Sequence, residues 1–184
     1  MDNKCIFCKD IFPLDYQNIS DEPKYWTFVH DIKPICDFHC NVILKKEVSG
    51  KEHICDLGDE KIPDDVLSEL GIVLNKSVIA IKKSSEKIKR VNIVSLNSGS
   101  KSKHLHFHLI PIFEGEDVKK INDINTDGGG LSFLSRKEIV QDTLDEFINQ
   151  TCGELSSDIL TSIEIATKKR VSNNVILLKK YFSI

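Results

Sequence analysis

The sequence of 184 residues lacks several features that would assign a protein to a broad class. It contains no run of about 18 apolar residues, so no segment reads as a membrane span. Its first residues lack the apolar core of a secretory signal peptide, and we therefore expect a cytoplasmic protein. A net positive charge is also missing, because the formal net charge is -3 and the pI is about 6.1. This balance argues against binding to a nucleic-acid polymer.

The sequence also lacks internal repeats and low-complexity tracts. Six cysteines without a secretory signal are more typical of reduced thiols or metal ligands than of a disulfide framework. Cys5 and Cys8 form a Cys-x-x-Cys pair, a spacing with which two thiolates bind one zinc ion. Two buried small hydrophobic residues and a redox motif remain the alternatives for this pair.

What the sequence does contain is the stretch KHLHFHLIPIF, in which His104, His106 and His108 alternate with apolar residues. Successive side chains of a β-strand point to opposite faces, so the three imidazoles would share one face. The opposite face would carry Leu105, Phe107 and Leu109. Imidazole is suited to proton transfer, nucleophilic attack and metal ligation near neutral pH, so the pattern favours a functional strand.

Three further predicted strands and one predicted helix precede the histidine strand. Residues 25–30 and 39–44 are rich in β-forming residues, and residues 90–97 alternate and would form a hairpin with the histidine strand. Apolar residues at helical spacing after Pro63 predict one long helix, interrupted only by Gly71. The predicted apolar stripe consists of Leu67, Leu70, Leu74, Val78 and Ile81.

From Glu114 onward the sequence is first polar and rich in turn residues, and then shows helical spacing over residues 134–150. Residues 156–184 are compatible with a helix followed by a strand. Composition alone assigns this region no role.

Together these motifs resemble the histidine triad (HIT) family. Residues 104–110, HLHFHLI, are similar to the family signature of three alternating histidines. Four other segments match the family in the same order: CIFC at 5–8, HDIKP at 30–34, HCNVILKK at 39–46 and NSGS at 97–100. The resemblance covers about the first 113 residues.

The resemblance implies an α+β fold, with an antiparallel sheet of about five strands and one long helix, usually as a homodimer. Residues 1–113 would form the HIT-like domain. Residues 114–184 would form a C-terminal extension with at least one helix, packed on that domain or continuing it.

The resemblance also implies cleavage of a nucleoside phosphate at the α-phosphorus, through a covalent adduct with histidine. By match to the motif, His106 would be the nucleophile and His108 would donate to a nonbridging phosphate oxygen. His104, the first histidine of the triad, completes the catalytic set. The expected substrate-binding residues are Asn97, Gly99 and Ser100 at the phosphate, Asp31 at the ribose, Ile32 and Phe7 at the base, and His39.

Zinc-containing members of the family imply one structural zinc ion per chain. Cys5, Cys8 and His104 would be three of its ligands. The fourth position falls on Glu47 when the segment is counted without a gap, or on His53 if a short insertion precedes it, and His53 is preferred.

The loop between Gly99 and His104 departs from the family pattern, since Ser-Lys-Ser-Lys replaces the usual Gly-Gln and hydroxyl residue. Ser100 or Ser102 could take the role of the hydroxyl residue, and Lys101 or Lys103 could reach a polyphosphate or the leaving group, so protonation of the leaving group is not assigned to one residue. The favoured function is a nucleotide hydrolase or nucleotidyl transferase, acting on a dinucleoside polyphosphate or a nucleoside phosphoramidate. A catalytically weak nucleotide-binding module and a zinc-stabilised interaction protein are the alternatives.

Overall fold

The computed structural model describes residues 5–8, 12–31, 34, 36–49, 53–95, 104–114 and 157–183. After a short 3-10 helix at Ile6–Cys8, this part of the chain forms five strands and three α-helices. The strands are β1 Asn18–Ser20, β2 Trp26–His30, β3 Cys40–Leu44, β4 Ile88–Val94 and β5 His106–Phe113. The helices are α1 Lys46–Ser49, α2 Asp64–Ser84 and α3 Ser157–Tyr181.

The five strands form one sheet in the order β1-β2-β3-β5-β4, and every neighbouring pair is antiparallel. The predicted α+β fold is therefore confirmed, and β4 and β5 form the expected hairpin. The central strand β3 lies beside β5, with Asn41 opposite His108 and Ile43 opposite His106. This register places β3 side chains directly beside two of the three histidines.

The sheet has a core face and a second face that carries the histidines. Alternate residues of β3 (Cys40, Val42 and Leu44) are buried in the core, as are Leu105, Phe107 and Leu109 beside them. Because strand side chains alternate, Asn41, Ile43 and the histidines of β5 point to the other face.

Helix α2 covers the core face. Asp64 and Asp65 lie in its first turn and Lys82 and Lys83 in its last, which complements the helix dipole. Its buried residues are Val66, Leu70, Val73, Ser77, Ala80 and Ile81. The buried stripe is thus rotated from the predicted one, and Leu67 is 37% exposed because the stripe that meets the sheet is centred on Leu70 and Val73.

Helix α3 packs against α2, β1 and β2. Three residues of the helix, and one residue just after its end, are buried in the same core as the sheet: Val171, Val175, Leu178 and Phe182. Within residues 156–184, for which the sequence was compatible with a helix followed by a strand, the structure has one helix, Ser157–Tyr181. The predicted helix within residues 134–150 lies outside the described residues.

Candidate active site and metal centre

The three histidines of the sequence motif lie side by side, and the ring of Phe7 packs against two of them. The rings of His106 and His108 are 4.9 Å apart between centroids, and the Phe7 ring lies 4.9 Å from that of His106 and 5.7 Å from that of His104. His104 is fully buried, and His106 is 5% exposed. The alternation of strand β5 and the 3-10 helix at the N-terminus together create this arrangement.

A backbone hydrogen bond fixes which ring nitrogen of His106 carries the hydrogen. Its Nδ1 lies 2.6 Å from the carbonyl oxygen of His104. A carbonyl can only accept, so Nδ1 carries the hydrogen and Nε2 keeps its lone pair. Burial lowers the pKa of His106, against the opposing effect of the His104 carbonyl and Asp31. The imidazole is therefore neutral near pH 7, with Nε2 in the nucleophilic form.

His108 belongs to a polar cluster at the end of strands β2 and β3. Its Nδ1 lies 3.1 Å from Nε2 of His39 and 3.7 Å from Oδ2 of Asp31. The same Asp31 oxygen accepts a hydrogen bond of 2.7 Å from Nδ2 of Asn41. Burial lowers the pKa of His108 to about 3, helped by His106 and His39 and opposed by Asp31. Burial also lowers the pKa of His39. Both imidazoles are consequently neutral.

A second group of side chains surrounds His104. Sγ of Cys8 lies 3.5 Å from Nδ1 of His104 and 3.6 Å from Nε2 of His53, and Sγ of Cys5 lies 3.8 Å from Nδ1 of His104. The four donor atoms all lie within 4.8 Å of one another. Glu47 is exposed on helix α1 and stands outside this group.

The distances within this group match the ligand shell of a tetrahedral zinc ion. Zinc bonds of about 2.3 Å to sulfur and about 2.0 Å to nitrogen place sulfur and nitrogen ligands about 3.5 Å apart. Nε2 of His104 donates to the carbonyl of Leu44 at 2.6 Å, which leaves the Nδ1 lone pair directed at the sulfurs. The donor atoms are thus already gathered as a metal ion requires.

Two further features are understandable if a metal ion binds here. His53 has φ 54, in the left-handed region where a residue with a side chain is strained. Without a metal, burial and the neighbouring Cys5 thiol raise the pKa of Cys8 to about 11. A coordinated cation reverses that effect, because it deprotonates the thiol it binds.

A cavity of about 450 Å³ lies next to the histidine face. This volume is within the range of small-molecule sites, about 300–1,000 Å³. The cavity has apolar and charged lining residues. The apolar ones are Phe7, Phe12, Pro13, Ile43 and Leu44, and the charged ones are Asp21, Lys24, Lys45, Lys46 and Glu47. Phe7 connects the cavity to the histidine face, since its ring also contacts His106.

Comparison with known proteins assigns the family. The HIT domain matches residues 15–115, more than half of the chain. The chain belongs to the HIT family. Its resemblance to that family, seen first in the histidine motif, is therefore confirmed, and membership places this HIT protein in a superfamily of nucleotide-binding hydrolases and transferases.

Relatives of this HIT protein include an uncharacterized HIT-like protein of Methanocaldococcus jannaschii. The two are 30% identical over 124 residues, which cover 65% of this chain and 88% of that protein. A zinc-bound histidine triad family protein from Mycobacterium smegmatis is 17% identical, with a TM-score of 0.46, and the match covers 89% of this chain and 86% of that one. A hypothetical histidine triad nucleotide-binding protein from Sulfolobus tokodaii is 18% identical, with a TM-score of 0.47, over 89% of this chain and 85% of that one.

Several predicted site residues of this HIT protein lie outside the described residues: Ile32 at the base, and Asn97, Gly99 and Ser100 at the phosphate. The described residues bring the other predicted ones into two adjoining groups. Asp31 and His39 join His108, and Phe7 contacts His106.

In the described ranges, no helix is long and apolar enough to cross a bilayer.

Among the described residues, Asn41 joins the polar cluster of His108 without having been predicted from the sequence. It is 4% exposed, lies opposite His108 and holds the carboxylate of Asp31. The signal for it was present, because Asn41 and His39 are the two polar residues at alternate positions of an otherwise apolar segment, HCNVIL. The period of two places both on the histidine face.

Proposed function

We propose that this protein is a nucleotide hydrolase or nucleotidyl transferase that cleaves a nucleoside phosphate at its α-phosphorus through a nucleotidyl-His106 intermediate. The observation that carries the proposal is the hydrogen bond from Nδ1 of His106 to the His104 carbonyl, which leaves Nε2 unprotonated. A dinucleoside polyphosphate and a nucleoside phosphoramidate are the two substrate classes that suit this chemistry.

The reaction would proceed in two displacements at phosphorus. In the first, Nε2 of His106 forms a bond to the α-phosphorus while the bond to the leaving group breaks, and the leaving group takes up a proton. In the second, water attacks the same phosphorus, the bond to nitrogen breaks, and a nucleoside monophosphate is released. Another acceptor in place of water would make the reaction a transfer.

The other residues would bind the substrate and stabilise charge. His108 would donate to a nonbridging phosphate oxygen, where negative charge is held in the transition state. Asp31 would accept from the ribose hydroxyls, with His39 and Asn41 fixing its surroundings. Phe7 and Ile32 would pack against the base, and Asn97, Gly99 and Ser100 would bind the phosphate.

We also propose that Cys5, Cys8, His53 and His104 hold one structural zinc ion. Four protein ligands close a tetrahedral shell, so the ion would have no open position for substrate or water. Its contribution would be to fix the N-terminal segment, and with it Phe7, against the histidine strand. His106, one position further on the same face, would remain available for the reaction.

The experiment that tests the enzymatic proposal is incubation with adenosine and guanosine phosphoramidates and dinucleoside polyphosphates. Products are identified by chromatography, and intact-protein mass spectrometry after rapid quenching detects the adduct. We expect release of a nucleoside monophosphate and a transient mass increase of one nucleotidyl group. His106→Ala should lose the adduct and lower kcat by orders of magnitude, because no nitrogen nucleophile replaces the imidazole.

His108→Ala is the matched variant, since it removes the neighbouring imidazole of the same strand. It should slow turnover but still form the adduct, because the nucleophile is intact. The proposal is wrong if His106→Ala keeps most of the wild-type turnover. Binding of a nucleoside monophosphate without turnover of any substrate would instead identify a nucleotide-binding module.

A further inference from the structure

Three donor atoms on the histidine face converge outside the cysteine-containing group. Nε2 of His39 lies 3.1 Å from Nδ1 of His108, and Oδ2 of Asp31 lies 3.9 Å from the first and 3.7 Å from the second. All three side chains are buried or nearly so, with exposures of 3%, 14% and 12%. They form a group of two imidazoles and one carboxylate.

The spacing of these atoms fits a first-row transition metal ion. A point equidistant from the three lies about 2.1 Å from each, which is the length of a zinc bond to nitrogen or oxygen. In the absence of an ion, one hydrogen lies between Nε2 of His39 and Nδ1 of His108. An ion would take the place of this hydrogen, which would move to the second nitrogen of the imidazole that carried it. The distances among the donor atoms are therefore already those that a metal ion requires.

The backbone and a neighbouring amide hold the group in place. The N–H of Asp31 donates to the carbonyl of His39 at 2.9 Å, which fixes these two residues relative to each other. Nδ2 of Asn41 donates to Oδ2 of Asp31 at 2.7 Å, an orienting contact of the kind that ligating carboxylates receive. Strand pairing of Asn41 with His108 fixes the third member.

We propose that Asp31, His39 and His108 form a second, exchangeable metal site for a transition metal ion such as Co²⁺, Ni²⁺, Fe²⁺ or Zn²⁺. Two imidazoles select these ions over Mg²⁺ and Ca²⁺, which prefer a shell of oxygen atoms. Three protein ligands leave coordination positions open, in contrast to the closed group of two cysteines and two histidines. The group lies on the same face of the sheet as His106.

This placement has a consequence that rests on the proposed function. An ion bound to Nδ1 of His108 leaves the hydrogen on Nε2, where it serves as the donor to phosphate. The ion would thereby hold His108 in the tautomer that donates to phosphate, so the two binding events would be coupled through the ring of His108. Nucleoside monophosphate and metal ion should therefore bind with positive coupling, and linkage makes that coupling reciprocal.

The test is titration of the purified protein, carrying the zinc it was isolated with, by Co²⁺ alone. Calorimetry gives the stoichiometry, and the visible spectrum separates a nitrogen and oxygen shell from a thiolate shell. We expect one Co²⁺ per chain with no thiolate-to-cobalt charge-transfer absorption. Asp31→Asn, which is isosteric, and His39→Gln should each lower Co²⁺ affinity at least about tenfold.

His106→Ala is the matched control, because it removes an imidazole from the same face and strand but not from the proposed ligands. Its Co²⁺ affinity should equal that of the wild type, and thermal melts check that each variant is folded. The proposal is overturned if the wild type takes up no Co²⁺, if the only change is thiolate absorption, or if folded Asp31→Asn and His39→Gln bind as tightly as the wild type.

Repeating the titration with adenosine monophosphate present tests the coupling separately. Tighter Co²⁺ binding supports coupling through the tautomer of His108, whereas unchanged or weaker binding rejects it. Because the titration without nucleotide does not depend on turnover, failure of the enzymatic proposal and failure of the metal site give different results.

Discussion

At the scale of single residues, three histidines have their hydrogen placed by a backbone carbonyl. His30 donates from Nδ1 to Asp31, His104 from Nε2 to Leu44, and His106 from Nδ1 to His104. The choice of nitrogen decides what each ring can do, because the other nitrogen keeps the lone pair. His104 therefore directs Nδ1 to the cysteines, and His106 has an unprotonated Nε2, as the proposed reaction requires.

His30 predicts how stability depends on pH. It is fully buried, and burial lowers its pKa to about 4, against the raising effect of Asp31 and with small lowering effects from His39 and Arg170. Above about pH 6.5 the imidazole is neutral in both the folded and the unfolded state, so it adds no pH dependence. Below that pH the unfolded chain binds a proton that the folded protein does not, so the free energy of unfolding falls, by about 3 kcal/mol once the pH reaches 4.

Urea denaturation at several pH values between 7 and 4.5 measures this slope. The other histidines with lowered pKa values contribute as well, so the comparison that isolates His30 is with His30→Gln. The variant should show a slope smaller by about 1.4 kcal/mol per pH unit below pH 6. An identical slope in both proteins would show that His30 is not held neutral.

The residues of the histidine face were predictable, but the tautomers were not. Alternation alone placed His104, His106 and His108 on one face, because the strand period is a local property of the sequence. The hydrogen position of His104 depends on the Leu44 carbonyl, 60 residues away in the chain. The choice of His53 over Glu47 beside the cysteines likewise depends on tertiary structure.

At the scale of elements, the N-terminal 3-10 helix directly follows Cys5 and includes Cys8, two cysteines of the group that we propose binds zinc. Wild-type protein purified without added metal should contain about one zinc per chain, and Cys8→Ser should contain much less. Because metal affinity contributes to folding, the melting temperature of Cys8→Ser should fall by roughly 5 °C or more.

Cys55→Ser is the control for this prediction. Cys55 carries the same chemical group and lies two residues from His53, but it is not one of the four residues, and a serine hydroxyl can keep its hydrogen bond to the His53 carbonyl. It should retain zinc and stability. The zinc proposal is contradicted if the wild-type protein contains less than a tenth of an equivalent of zinc and a strong chelator leaves its melting temperature unchanged. Cys5 and Cys8 would then be buried packing residues.

Helix α3 is joined to the site region by a buried amide. Nδ2 of Asn174 lies 3.3 Å from Nε2 of His30, and Arg170 pairs with Asp37 at 3.4 Å. Asn174→Ala should destabilise the protein by about 1–3 kcal/mol, because it leaves the buried His30 nitrogen without a donor. Chemical denaturation measures the effect.

Asn173→Ala provides the control, since Asn173 is the exposed neighbour on the same helix. Both variants make the same change in helix propensity, so the difference between them reports the buried contact. Asn173→Ala should stay within about 0.5 kcal/mol of the wild type. Equal stabilities for the two variants would mean that the Asn174 contact contributes nothing.

Elements were predicted unevenly from the sequence. The hairpin of β4 and β5 and the long helix α2 have strong periodicity and were found, with Leu67 wrongly assigned to the buried stripe. Helix α3 was harder, because exposed Ile165 and Ile176 blur its amphipathic pattern. Which apolar residues of a helix are buried depends on the partner that it meets.

At the scale of the whole molecule, homodimerisation stays a prediction, as does the cytoplasmic location. In the described sheet, β4 is an edge strand, and its Ile93 is 46% exposed. Unpaired edges favour association with a second chain. Light scattering at micromolar concentration should therefore give twice the chain mass of 20.9 kDa.

Ile93→Lys should shift the protein toward monomer, because a charged residue on an edge strand opposes pairing. Ile72→Lys is the control, since Ile72 is also exposed but lies on helix α2. A wild-type protein of single-chain mass would contradict the prediction and would mean that the extension after Glu114 has taken the place of a partner.

The packing of helix α3 has a consequence for synthesis of the chain. Phe182 contacts Phe28 with ring centroids 4.9 Å apart, and His30 meets Asn174 across 144 residues of sequence. A chain grows at about 5–20 residues per second, so roughly 3–14 s pass between completion of β5 and arrival of Phe182. During that interval Phe28 lacks its ring partner on the core face, and uncovered apolar surface of this kind favours aggregation of an incomplete chain.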